Sequence, residues 1–254
     1  MILTIDIGNS SIMLGGFSSD ELVFVARTST DTNSTEDDYA YRFLNMLALH
    51  SIDKKSIKGA VISSVVPQLN SVIRRAVKMI LGVEALTVGP GVKTGISIRC
   101  DNPSSVGADI ICTCVAAFTL YKSPCLIIDV GTATKMTVVD KNGAFIGTSI
   151  MPGVMMGLHA LSTETAQLPR IGLESPGSII AKNTVDCMKS GVIYGNASMI
   201  DGMTSRIKEE IGEELSVYIT GGNASLIVPF CKSEMVLDEY LVLKGLLIIY
   251  KKNT

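Results

Sequence analysis

Leu3-Thr4-Ile5-Asp6-Ile7-Gly8-Asn9 and Leu126-Ile127-Ile128-Asp129-Val130-Gly131-Thr132 are two versions of one phrase. Each is an apolar strand that reaches an aspartate near its end, then a glycine, then a small polar residue. The aspartates lie 123 residues apart in a chain of 254. Each phrase also opens a three-strand meander. The first runs through strands at 2–7, 12–17 and 21–27, with the turn Ser18-Ser19-Asp20 between the last two. The second continues through 135–139, the hairpin signal Lys141-Asn142-Gly143, and 144–150. One Asp-x-Gly alone is equally a plain β-turn with a solvated carboxylate. Two copies at half-chain spacing argue an α/β chain built by duplication, with one half-domain over 1–122 and the other over 123–254.

Outward from these phrases the elements alternate. Thr35-Glu36-Asp37-Asp38 predicts a capped helix start, with Tyr39, Phe43, Met46 and Leu47 following at helical spacing. An apolar strand from Gly59 stops at Pro67, a helix runs on to Gly82, and a short strand covers 85–88. Residues 104–121 read as a buried helix. After 150 the chain reads as a loop with Pro152, Pro169 and Pro176, leading to a long helix from Asn183-Thr184 to about Glu210. A strand at 216–220, the turn Gly221-Gly222-Asn223, a short helix and a closing helix over about 237–251 complete it.

Composition narrows the classes. Hydrophobic residues make up 47% and the formal net charge is −2, which supports a large core and argues against a nucleic-acid partner, since no basic stripe is present. So apolar a chain is expected to cover some surface with a second subunit. The six cysteines contain no C-x-x-C pair and only His50 and His159 could assist them, so reduced buried thiols are expected rather than zinc. The start lacks the basic segment of a signal peptide, and the apolar stretch 241–250 is too short to span a bilayer. The expectation is a soluble cytoplasmic protein with no membrane partner. Gly89 to Gly95 does not fit G-x-x-x-x-G-K-[ST], and no G-x-G-x-x-G occurs, which excludes the P-loop and dinucleotide fingerprints.

The paired corners suit phosphate chemistry. Gly8 lets backbone approach an anion, the amides of Asn9, Ser10 and Ser11 can donate to it, and Asp6 can hold Mg²⁺ against nucleotide phosphates. Asp129 and Thr132 supply the second corner, and a cleft between the halves would take the triphosphate. Gly221-Gly222 offers a third close-approach turn suited to adenosine, or simply leads into a helix. Asp109 begins an apolar helix after Pro103 and Gly107. Desolvation by Val106, Ile110 and Ile111 would raise its basicity and let it accept a hydroxyl proton. An aspartate stabilised by a helix dipole accounts for the same residue.

Taken with Ser63-Ser64-Val65-Val66-Pro67, Gly89-Pro90-Gly91, Asn102-Pro103, Gly107-Ala108-Asp109, Leu168-Pro169-Arg170, Lys182-Asn183-Thr184 and Leu243-Lys244-Gly245-Leu246, these motifs make the chain resemble a type III pantothenate kinase. The resemblance implies a duplicated ribonuclease-H-like (actin-like ATPase) fold of two half-domains around a nucleotide cleft. It implies ATP-dependent phosphorylation of pantothenate to 4′-phosphopantothenate, with Mg-ATP and a monovalent cation, potassium or ammonium. By the same resemblance Asp6, Ile7, Gly8, Asn9, Ser10, Ser11, Ile12 and Met13 form the first ATP loop, and Thr132 touches ATP. Asp109 is the catalytic base, Asp129 holds the monovalent cation, and Cys100, Gly107, Ala108, Ile110 and Thr184 line the acceptor site. A homodimer is implied as well.

The chain departs from that family at three positions. Ile110 stands where an arginine is usual, Cys100 where a tyrosine is usual, and Lys135 where a threonine is usual. An isoleucine cannot replace the planar donors of a guanidinium. Another cation (Lys135, Lys182 or Arg99) then compensates, or the acceptor is a different small hydroxylated molecule, or the chain is a weakly active or non-catalytic regulatory relative.

Overall fold

The computed structural model describes all 254 residues, 1–254. In chain order the elements are β1 (Ile2–Ile7), β2 (Ser11–Ser18), β3 (Glu21–Ser29), α1 (Glu36–Leu49), β4 (Gly59–Ser64), α2 (Pro67–Leu81), β5 (Ala85–Thr87), β6 (Ser97–Ile98) and α3 (Ala108–Leu120). They continue as β7 (Cys125–Val130), β8 (Ala133–Val139), β9 (Ala144–Pro152), α4 (Val154–Thr163), α5 (Thr184–Ile211), β10 (Ser216–Thr220), α6 (Ala224–Ile227), β11 (Val236–Leu237) and α7 (Leu241–Asn253). Two compact units result, one of residues 1–96, 101–119 and 241–254, the other of 97–100 and 120–240.

In the first unit a five-stranded sheet has the order β3-β2-β1-β4-β5. Strands β1, β2 and β3 form the expected antiparallel meander, while β4 joins β1 in parallel. Alternation sorts the faces. Leu3, Ile5 and Ile7 are fully buried in a cluster with Tyr39 and Phe43 of α1 and with Leu69 and Ile73 of α2. Thr35 caps α1 through a complete capping box with Asp38, and Pro67 opens α2 at a position where its missing N–H costs nothing. Gly82 ends α2 with φ 70°, a left-handed conformation that suits glycine.

The other face of that sheet takes α7. A Cβ on Gly15 would lie 2.7 Å from Leu243, and one on Gly245 would lie 2.6 Å from the carbonyl carbon of Cys112. These glycines bring α7 close to β2 and to α3. The closing helix therefore belongs to the first unit, which corrects the expectation of a second half-domain running unbroken from 123 to 254. Its apolar residues Leu241, Leu243 and Leu246 are fully buried there.

The second unit has a six-stranded sheet, β11-β10-β7-β8-β9-β6, again with a meander (β7, β8, β9) and a parallel neighbour, here β10. Leu126, Ile128 and Val130 are buried against Val154 and Leu158 of α4 and Val192, Ile193, Ala197 and Ile200 of α5. Asn183 caps α5 by accepting from the Asp186 N–H at 3.0 Å. Helix α4 lies within the stretch expected to be loop. Its N-cap is Gly153, with no side-chain cap bond, so it carries no capping signal in sequence. The two-residue strands β6 and β11 were also too short to produce an alternation. No helix is long and apolar enough to cross a membrane.

Candidate active site

Asp6 is the penultimate residue of β1, opposite Met13 on β2 and Ser63 on β4. The turn after it is closed by the Gly8 N–H donating to the Ser11 carbonyl at 3.0 Å, and Thr30 Oγ1 donates to the Gly8 carbonyl at 2.6 Å. A Cβ on Gly8 would stand 3.0 Å from that same Ser11 carbonyl, so the turn is drawn tight around a glycine. Asn9 and Ser10 lie exposed at its tip, while Ile7, Ile12 and Met13 are buried. The last three hold the loop on the sheet, and the tip is the part that can meet a ligand.

Asp109 is the second residue of α3. The helix ladder begins with Ile111 N–H donating to the Gly107 carbonyl at 3.1 Å. The Asp109 carboxylate folds back over the helix start and accepts the Ile110 N–H through Oδ1 at 2.9 Å. A Cβ on Gly107 would collide with that carboxylate, so Gly107 gives it room. Ala108 and Asp109 are half-buried, whereas Ile110 is 8% exposed and packs into the interior.

Within the first unit one buried thiol reports on both aspartates. Burial pushes the Cys112 thiol well above its ordinary value, and the negative charges of Asp6 and then Asp109 push it the same way. Both charges thus act on one fully buried thiol, Cys112. The start of α3 adjoins the end of β1: a Cβ on Gly107 would lie 3.6 Å from a Val65 methyl, and the Val65 N–H donates to the Ile7 carbonyl at 3.0 Å.

In the second unit Asp129 is the penultimate residue of β7, opposite Lys135 on β8 and Thr220 on β10. Its Oδ2 is 2.7 Å from Lys135 Nζ, and the two side chains are 21% and 17% exposed. Gly221 has φ 101°, and a Cβ there would lie 2.5 Å from Asp129 Oδ1 and 2.7 Å from the Val130 nitrogen. Only glycine can bring this turn so near the corner. Gly222 and Thr132, each next to a corner glycine in sequence, are exposed. The contact between Lys135 and Asp129 was not expected from the sequence. The register would have shown it, because an antiparallel pair turning about Thr132 sets 129 opposite 135.

The acceptor residues expected from the resemblance fall in both units. Gly107, Ala108 and Ile110 are in the first, Cys100 and Thr184 in the second. Cys100 is half-buried just after β6. Thr184, the first residue of α5, lines an open pocket of about 600 Å³ together with Lys182, Asn183, Cys187, Leu161 and Leu168. No group of three or more His, Cys, Asp or Glu side chains is arranged to hold a metal ion.

The family model for type III pantothenate kinase matches residues 2–206. The chain belongs to the type III pantothenate kinase family. Full-length relatives of that name are 42% identical in Citrifermentans bemidjiense over 253 residues, with 100% of each chain covered. In Syntrophus aciditrophicus the identity is 41% over 254 residues, again with 100% of each chain covered. Among solved structures the chain is similar to component A of (R)-2-hydroxyglutaryl-CoA dehydratase from Acidaminococcus fermentans, with TM-score 0.59 and 14% identity, covering 100% of this chain and 99% of that one. It is also similar to the ethanolamine utilization protein EutJ from Carboxydothermus hydrogenoformans, with TM-score 0.54 and 16% identity, covering 97% and 89%. At such identities these structures establish the fold, which is the duplicated actin-like one that the resemblance implied.

Proposed function

We propose that this member of the family transfers the γ-phosphoryl group of ATP to the hydroxyl of pantothenate, giving 4′-phosphopantothenate and ADP, the first step towards coenzyme A. The structural observation that carries the reading is the packing of the α3 start, which bears Asp109, against Val65 beside the end of β1, which bears Asp6. The family membership supplies the acceptor.

The roles are as follows. The tight turn from Asp6 to Met13 meets the phosphates through its exposed tip. The Asp6 carboxylate is a hard oxygen donor suited to Mg²⁺, and that ion, when bound with ATP, neutralises charge on the phosphates. Thr132 and the turn Gly221-Gly222 serve the nucleotide from the second unit. Asp109 takes the proton of the acceptor hydroxyl as its oxygen bonds to the γ-phosphorus. The bond from that phosphorus to the β,γ-bridging oxygen breaks, and ADP leaves with the electron pair. Positioning dominates such catalysis, which is why fixed glycine turns matter as much as charged groups. Gly107, Ala108, Cys100 and Thr184 contact the acceptor. The buried Ile110 offers it little surface, so the acceptor's carboxylate is held by something other than residue 110.

A monovalent cation at Asp129 fits the residues poorly, because a lysine ammonium already stands 2.7 Å from that carboxylate. We assign the protein to the cytoplasm, as a homodimer. The exposed apolar side chains Ile150, Met155, Met156, Ile179 and Ile180 support a second copy. The test of function is product formation from ATP with pantothenate and with a panel of other hydroxylated acids, each followed by mass spectrometry. Phosphopantothenate must dominate. Another acceptor turning over faster, or binding without turnover, overturns the acceptor assignment.

A further inference from the structure

We propose that the Lys135 ammonium serves as a built-in monovalent cation, so that phosphoryl transfer by this chain needs no potassium or ammonium from solution. This rests on the functional reading above. Asp129 and Lys135 are direct register partners on adjacent antiparallel strands, so the contact is set by the backbone and not by a wandering surface side chain. The Nζ–Oδ2 distance is 2.7 Å, and about four-fifths of each side chain is covered. The other carboxylate oxygen is flanked by two glycines, which carry no side chain. Cβ atoms built on Gly131 and Gly221 would lie 3.3 Å and 2.5 Å from Oδ1.

A lysine ammonium and a potassium ion carry the same charge, and the ammonium is delivered by the chain instead of being drawn from water. Charge-assisted contact at this distance is strong in a partly desolvated corner. A free cation would have to displace the ammonium from a partner it cannot diffuse away from. The register partner differs at the first corner. The register partner of Asp6 is Met13, whose Sδ accepts from Arg27 Nη2 at 3.4 Å. Lys135 is therefore a positioning residue that fixes the charge of the second corner next to the Gly221 turn.

The experiment measures phosphopantothenate directly by mass spectrometry, since coupling enzymes can themselves require potassium. Wild-type protein freed of potassium and ammonium is assayed in potassium chloride and in tetramethylammonium chloride at equal ionic strength. Lys135→Thr and Lys135→Gln are treated identically, and thermal midpoints are recorded in both salts. The expected result is that wild-type rates agree within about threefold between salts. The neutral variants lose about tenfold or more in tetramethylammonium and recover in potassium, and their midpoints rise with potassium while the wild-type midpoint does not. A wild-type loss of more than threefold without potassium overturns the proposal while the kinase reading stands. So does a neutral variant with the wild-type salt ratio. If neither variant folds, the wild-type comparison alone decides. A wild type that makes no product in either salt sinks the kinase reading, and this proposal with it.

Discussion

Replacing Asp109 by asparagine separates the two accounts of that residue, catalytic base or helix-start stabiliser. Asparagine keeps an oxygen where Oδ1 accepts the Ile110 N–H at 2.9 Å, so the local hydrogen bond survives. What is lost for stability is one negative charge in the first turn of α3, which contributes about 0.3–1 kcal/mol at an exposed helix end. In a chain of 254 residues that moves the thermal midpoint by only about 1–4 °C. What is lost for catalysis is larger. A general base contributes about 10²–10⁴-fold, or roughly 2.7–5.5 kcal/mol in the barrier. The expected variant is folded, binds ATP normally and has turnover reduced at least about a hundredfold. Turnover is read as product per unit time at saturating ATP and pantothenate, and folding by thermal denaturation of the same samples. Turnover within threefold of wild type would refute the base assignment and leave Asp109 as a helix stabiliser. A loss of activity that tracks a loss of folded protein would refute it equally.

Gly221→Ala forces an L-residue to φ 101° and sets its Cβ 2.5 Å from Asp129 Oδ1, so KM for ATP should rise at least about tenfold, a shift of about 1.4 kcal/mol; an unchanged KM would detach that turn from the nucleotide. Gly245→Ala pushes α7 off α3 and should cost about 1–3 kcal/mol of stability, seen as a lower denaturation midpoint with kcat per folded molecule preserved. Cys187 is exposed while Cys112, Cys114 and Cys125 are buried, so a thiol reagent should label Cys187 ahead of those three, which react only on unfolding. Burial pushes the Cys125 thiol up to about 12. A raised thiol favours the neutral folded form below its ordinary value near 9, and that stabilisation fades as pH climbs from there towards 12. The thermal midpoint should therefore be insensitive to this group between pH 7 and 9 and fall above, and a midpoint rising above pH 9 would contradict it.

Legibility in the sequence followed backbone periodicity. The two meanders, the Thr35 capping box, the Pro67 helix start and the Gly82 stop were readable because each is enforced by local chemistry. Helix α4 was not, because Gly153 offers no capping side chain, and Pro152 before it with Pro169 and Pro176 after it suggested loop. The placement of α7 was hidden for another reason. Its apolar residues fit any sheet face, and only the small side at Gly245 and the gaps at Gly15 and Gly59 select the first unit. Among site residues, the glycine turns and aspartate corners were visible as motifs. The place of the α3 start beside the end of β1 was not, since it depends on where α3 packs. Ile110 was expected to line the acceptor site, yet helical phase turns it inward.

The duplicated corners explain why one face of each sheet stays conservative in chemistry while the other diverges. On β1 the buried set is Leu3, Ile5 and Ile7, and on β7 it is Leu126, Ile128 and Val130. Alternation means a substitution there opens a cavity or forces strain, at a cost of about 1–5 kcal/mol. The intervening positions carry Thr4 and Asp6 in one unit but Ile127 and Asp129 in the other. The partner strand then decides what each aspartate does. Asp6 to Met13 spans seven residues and leaves a tip with two exposed polar side chains, whereas Asp129 to Lys135 spans six and places an ammonium on the carboxylate. A single residue of turn length thus shifts which side chain stands opposite the aspartate. Inserting one residue between Thr132 and Ala133 should move Lys135 out of register with Asp129, and with it the charge of the second corner. If the salt dependence of turnover were unchanged by that insertion in a folded protein, register would not be what sets the corner's charge.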